Sequence, residues 1–136
     1  MIPVSKHRPN SRPLTLFSDN EQKHDIEIVY DLGTKDNWMS AKTVRDMGFM
    51  TKMPDRDRKP LVDFNNMPLV SVGVVQAKWL LPSGKLEGVK FRVTENGPFQ
   101  ALFGYDFLLE KGLVTINDDD PDSVLISKGD QLTEGA

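Results

Sequence analysis

Apolar residues in this chain fall in short runs, each closed off by glycine, proline or a cluster of Asn, Asp and Ser. Nine prolines and ten glycines spread through 136 residues leave little room for the long helices of a bundle and favour strands joined by turns. The length suits one domain with a single core. No run approaches the ~18 apolar residues of a membrane span, and residues 1–8 hold no apolar segment of signal-peptide type, so neither is expected. Cysteine is absent, which excludes disulfides and thiolate metal sites. A reducing intracellular setting, the cytoplasm, is the expectation that fits.

Charge divides the chain into three. Residues 1–12 carry Lys6, Arg8 and Arg12 without an acid, while residues 117–136 carry Asp118, Asp119, Asp120, Asp122, Asp130 and Glu134 against Lys128. The body between is near neutral. A basic, proline-bearing, aperiodic start reads as a disordered tail, residues 118–136 as an acidic tail, and residues 13–117 as the folded domain. Three cations without interleaved aromatics are too weak a footprint for nucleic acid, so no such contact is expected.

Within the body, Leu14–Phe17 and Ile26–Tyr30 read as strands flanking a Ser-Asp-Asn-Glu turn. Ser40 is placed to cap a short helix carrying Val44 and Met47, which Gly48 stops. A charged, proline-bounded loop over 51–60 leads to Leu61–Phe64 and to a run from Met67 to Val75. Between these two runs, Asn65-Asn66 suits the tip of a tight hairpin. Gly73 marks a bulge in that second run. Further strands follow at 76–81, 89–93 and 101–103, then a short helix over 105–111 stopped by Gly112, and a strand at Leu113–Ile116. The sequence strand, glycine, helix, glycine, apolar run occurs twice, around Gly33–Gly48 and Gly104–Gly112, as in a domain of two similar halves. The fold class expected is all-β, a small closed barrel with one or two short helices. Trp38 and Trp79 are expected in the core.

Asp31 follows directly on the strand Ile26–Tyr30 and precedes Leu32-Gly33. A carboxylate at a strand end beside a glycine can accept backbone N–H bonds that hold it fixed and tune its acidity. The same ingredients also make an ordinary Asx turn.

The wider context favours the first reading. Ile28-Val29-Tyr30-Asp31-Leu32-Gly33-Thr34, a helix ending at Met47-Gly48, and Ala101-Leu102-Phe103-Gly104-Tyr105-Asp106-Phe107-Leu108 occur in that order. This resembles the retropepsin-like aspartic peptidases, the peptidase domains of retroviruses, retrotransposons and their cellular relatives, over about residues 13–117. The resemblance implies a retropepsin-like acid-protease fold. It implies Asp31 as the catalytic aspartate, with Leu32, Gly33 and Thr34 as the active-site loop. It further implies Phe64, Asn65, Asn66 and Met67 as the flap that closes over a peptide substrate, and Leu102, Phe103 and Gly104 as support beneath the loop. The sequence departs from the family at Leu32, where a Thr or Ser hydroxyl braces the two active-site loops of a dimer. Leucine cannot make that bond, and Thr34 lies two residues too far on. The flap tip also lacks the glycines common in active relatives.

The function implied is an aspartic endopeptidase, active only as a homodimer because each chain supplies one aspartate to a proton-sharing pair. The alternative is the same fold kept as a catalytically impaired dimerisation or peptide-binding module. Leu113–Ile116 matches the family's interface strand. Val124–Ile126 could join that interface or dock on its own subunit. No cofactor or metal is expected: His7 and His24 are the only histidines, and Asp118–Asp122 lacks the spacing, glycine and glutamate of a calcium loop. Gly-rich phosphate loops are also absent.

Overall fold

A computed structural model describes residues 2–5, 10–56, 62–64 and 67–126 of the chain. Six strands close into a barrel: β2 (Asn10–Phe17), β3 (Lys23–Tyr30), β4 (Trp38–Ser40), β7 (Gly73–Leu80), β8 (Leu86–Thr94) and β9 (Ala101–Phe103). Their order around it is β2-β3-β9-β4-β8-β7, and β7 returns to β2 through Leu16↔Trp79 and Phe17↔Lys78. Outside the barrel, β1 (Ile2–Ser5), β10 (Val114–Ile116) and β11 (Ser123–Ile126) form a sheet of order β1-β11-β10, and β5 (Val62–Phe64) pairs with β6 (Met67–Leu69). Two six-residue helices, α1 (Ala41–Asp46) and α2 (Tyr105–Glu110), complete the fold.

The two similar halves read from the sequence interlock. Strand β9 lies between β3 and β4, and β4 lies between β9 and β8; the β3–β9 and β4–β8 pairings are parallel. Both helices begin and end as their residues dictate. The Ser40 side chain accepts the Thr43 N–H at 3.1 Å and caps α1, and Gly48 and Gly112 follow the two helices with φ of 71° and 67°. That left-handed geometry favours glycine over any residue with a Cβ.

The core is aromatic at its centre. Phe103 is fully buried and packs against Tyr30, Trp79, Phe91 and Phe107, the last at 4.4 Å between ring centroids. Trp38 and Trp79 are both buried, as expected. From this core the chain turns at Gly104 into α2. A Cβ on Gly104 would stand 2.4 Å from the carbonyl oxygens of Lys35 and Asp36, so only glycine fits where the two loops touch. At its other end α2 is tied to β8 by a Lys111–Glu87 ion pair. The Lys111 hydrogen bond holds the Glu87 carboxyl pKa below its ordinary value, and the same bond raises that of the Lys111 ammonium. A carboxyl lowered on folding supports the fold above its unfolded pKa. That contribution therefore fades as pH falls through the carboxylate range.

Three expectations are corrected. Residues 1–12 and 118–136, read as tails, contain β1, the first residues of β2, and β11. Those strands are held by main-chain pairing with distant partners, Ile2↔Ile126 and Arg12↔Ile28 among them, which local composition does not reveal. Val124 and Ile126 are buried, so β11 docks on its own subunit. The run from Met67 to Val75 is not one strand, because it breaks at Val70–Val72. Gly73 opens the next strand rather than forming a bulge, with its backbone (φ 155°) pressed against Lys52 and Met53.

Pro13 sits inside β2 without breaking it. The N–H of its partner Glu27 donates to Gln100 on the far side of β3, at 2.7 Å. The Pro13–Glu27 pair is therefore of the wide type, and the missing proline N–H would have pointed to the open edge.

Removing the ring at the core's centre tests this packing. Phe103→Ala should cost about 3–5 kcal/mol in denaturant unfolding at unchanged m, and Gly104→Ala about 3 kcal/mol from overpacking against backbone. A loss well under 1 kcal/mol in either variant would contradict the contacts described.

Candidate active site

Strand β3 delivers Asp31 to the point where the two halves cross. The parallel β3–β9 ladder pairs Tyr30 with Phe103, and the Asp31 N–H extends it by donating to the Phe103 carbonyl at 3.1 Å. Both carboxylate oxygens of Asp31 are then held by its own loop. The Gly33 N–H donates to Oδ1 at 2.9 Å, and the buried Thr34 hydroxyl donates to Oδ2 at 2.6 Å. A Cβ on Gly33 would lie 3.3 Å from that same Oδ1, tighter than most such contacts, so glycine eases the turn. The Thr34 carbonyl accepts the first N–H of α2, from Tyr105, at 2.8 Å. The loop is thus anchored on both sides while the Asp31 side chain stays partly exposed.

The residues assigned by sequence divide as follows. Asp31, Gly33, Thr34, Leu102, Phe103 and Gly104 come together at this crossing. Leu32 is half-buried and packs against the main core, presenting no polar group. Thr34 spends its hydroxyl on Asp31. Asn65 and Asn66 lie outside the described residues, bracketed by the Phe64↔Met67 pair. Met67 is half-buried, but Phe64 is 5% exposed, its ring packed edge-on against Phe99 at 5.1 Å.

Phe64 identifies the face that the β5–β6 hairpin covers. Along β3, Ile28 and Tyr30 point into the main core. Val29 points the other way, and strand alternation carries Asp31 after it. Leu102 is likewise opposed to Ala101 and Phe103, and Trp38 to Met39. Val29, Leu102 and Trp38 join Phe64, Leu69 and Phe99 in a second apolar cluster. The hairpin therefore folds down on the Asp31 face.

Residues not singled out from the sequence hold the surrounding loops. The Asn37 side chain accepts the Gly104 N–H at 3.0 Å and donates to the Lys90 carbonyl at 3.2 Å, joining both halves and β8. Arg92 pairs with Asp36 at 3.3 Å and also with Asp55. The sole local signal for these is polarity beside a strand, shared with many surface residues.

Among the described residues, two of the surface concavities are well formed. One, of about 320 Å³, is lined by Lys35, Asp36 and residues of β8 and α2; another, of about 540 Å³, lies between the β2–β3 turn, β7 and β8. Asp31 lines neither. Among the described residues, no group of three His, Asp or Glu could hold a metal ion.

No protein-family model and no curated protein sequence matches the chain. Solved structures do. EIAV protease, in complex with the inhibitor HBY-793, superposes with a TM-score of 0.55 at 9% identity, covering 77% of this chain and 89% of its own. The retroviral protease-like domain of Ddi1 from Leishmania major gives a TM-score of 0.53 at 16% identity, covering 87% of this chain and 94% of its own. With its closed six-stranded barrel, interlocked halves and Asp31 loop beside Gly104, the chain has the retropepsin-like aspartic protease fold.

Proposed function

We propose that this chain is an aspartic endopeptidase domain whose active form is a two-fold homodimer. The observation that carries the reading is Asp31 itself. It is a partly exposed carboxylate at the crossing of the two halves, oriented by Gly33 and Thr34, in a fold shared with aspartic proteases.

One chain supplies one such carboxylate, and the chemistry needs two. Held within hydrogen-bond reach, a pair of carboxyls shares a single proton and titrates as a unit. The ionised member takes a proton from water, whose oxygen attacks the scissile carbonyl, while the protonated member gives its proton to the carbonyl oxygen. The tetrahedral intermediate then collapses as the leaving nitrogen is protonated and the C–N bond breaks. A dyad axis beside Asp31 brings in the second copy through an isologous contact. The edge strand β10, where Ile116 is 66% exposed, offers the partner a surface. The peptide would lie extended on the Asp31 face beneath the β5–β6 hairpin, bound as an added strand.

Leu32 bears on how such a dimer is held. Its side chain rests on its own core, so the loops of two copies would meet without a hydroxyl brace. This is the feature that favours a binding module over an enzyme, and replacing it separates the two.

A mixed peptide library at about pH 4–6, where carboxylate pairs commonly work, should be cleaved by the wild type. Asp31→Asn should lose at least about a thousandfold in kcat/KM. Equal cleavage by both proteins would refute the assignment. Specific activity should also fall on dilution, in step with loss of a species of twice the 15.3 kDa chain mass in sedimentation. Activity confined to the monomer would contradict the shared pair. If the native chain is inert and Leu32→Thr confers cleavage, the module reading is the correct one.

A further inference from the structure

We infer that Arg92 is a positioning residue: it pins the neck of the β5–β6 hairpin, where residues 53–55 meet residues 71–74, to the loop that carries Asp31. The hairpin is attached to the barrel at two places of different character. Near its end, Phe64 and Leu69 hold it by apolar contact with Trp38, Leu102 and Phe99. At its neck the two legs are joined by the Met53↔Val74 bridge, with both N–H···O bonds at 2.8 Å, and by the Ser71 hydroxyl on one leg donating to Asp55 on the other.

Arg92 connects that neck to the active-site loop. It lies in β8 opposite Trp38 of β4, and its main-chain N–H donates to the Asn37 carbonyl at 2.9 Å. From there its guanidinium reaches two carboxylates on different loops: Nη1 pairs with Asp55 at the neck, and Nε pairs with Asp36, five residues after Asp31, at 3.3 Å. The fork is well suited to bridging two acceptors, which a lysine ammonium on a flexible stem would not reproduce. The side chains of Arg92 and Asp55 are 11% and 2% exposed, with Asp36 at 33%. Ion pairs this buried offset their own desolvation without much net gain, and what they contribute is geometry. Here they tie Asp55 at the neck to Asp36 in the loop that follows Asp31. Gly73 lets the legs approach, since a Cβ there would stand 2.7 Å from Lys52 Cγ and 3.1 Å from the Met53 carbonyl oxygen.

The apolar contacts of Phe64 and Leu69 carry no directional bond, whereas the neck is held by main-chain hydrogen bonds, the Ser71–Asp55 bond and the Arg92 ion pair. The neck is thus the hairpin's fixed attachment to the barrel, and testing it needs no catalysis.

Amide hydrogen exchange reads it directly. Arg92→Met alone would remove a buried cation facing the Asp55 carboxylate, so the informative protein is the double variant Asp55→Asn, Arg92→Met, which removes both charges and leaves an amide oxygen for the Ser71 hydroxyl. In it, exchange at Met53 and Val74 should quicken at least tenfold, with Ile26 and Ile28 in β3 unchanged. Unchanged exchange at all four amides would show that the neck does not depend on Arg92. A parallel loss of protection at all four would show the network to be a general prop of the barrel. Either result overturns the inference.

Discussion

The parallel pairing of β3 with β9 is the contact on which the rest of this molecule depends. Residues 28–30 and 101–103 are remote in sequence, and joining them closes a long loop at an entropic cost that local contacts do not repay. What offsets it is the burial of Phe103 among Tyr30, Trp79, Phe91 and Phe107. Once that pairing exists, the Asp31 N–H has its acceptor in Phe103, Gly104 is forced against Lys35 and Asp36, and the first N–H of α2 donates to the Thr34 carbonyl. The site is thus a by-product of the core's central contact, which is why its geometry is stiff although it lies on loops.

The two faces of this sheet do different work. The inner face is packed around large rings and belongs to stability. The outer face, with Val29, Trp38 and Leu102, is covered only by a two-stranded hairpin of three-residue strands. Isolated hairpins of that size are marginal in water, so this cover holds through what it touches. A stable interior beneath a weakly held cover is the distribution of stability that a chain needs if it must admit another polypeptide without unfolding.

Much of the architecture was legible because it is written locally. Ser40 as a cap, Gly48 and Gly112 as stops, the alternation of Ile26–Tyr30, and the repeated strand-glycine-helix order all act over a few residues, and each stands where expected. Asp31 with Leu102-Phe103-Gly104 was legible as a resemblance, and the crossing brings them together. What sequence hid was non-local. The pairing of β1 with β11 depends on a partner at the other end of the described chain, and polar Asn10–Arg12 become strand only because β3 is beside them. Asp55 reads as one more charge in a solvated loop until Arg92, from another strand, buries it. Phe64 reads as part of a flap, and only its contact with Phe99 shows it committed to packing.

Pro13, on the stretch of β2 that β7 does not pair, has counterparts in Pro3 of β1 and Pro68 of β6, each on an edge strand of its sheet. A residue lacking an N–H spoils an open strand as a template, and natural sheets use it to discourage haphazard edge-to-edge association. In the two small sheets outside the barrel, that leaves β5 and β10 as the edge strands uninterrupted by proline. Any further stretch of backbone that joined either small sheet would therefore meet an uninterrupted row of main-chain groups only at β5 or at β10.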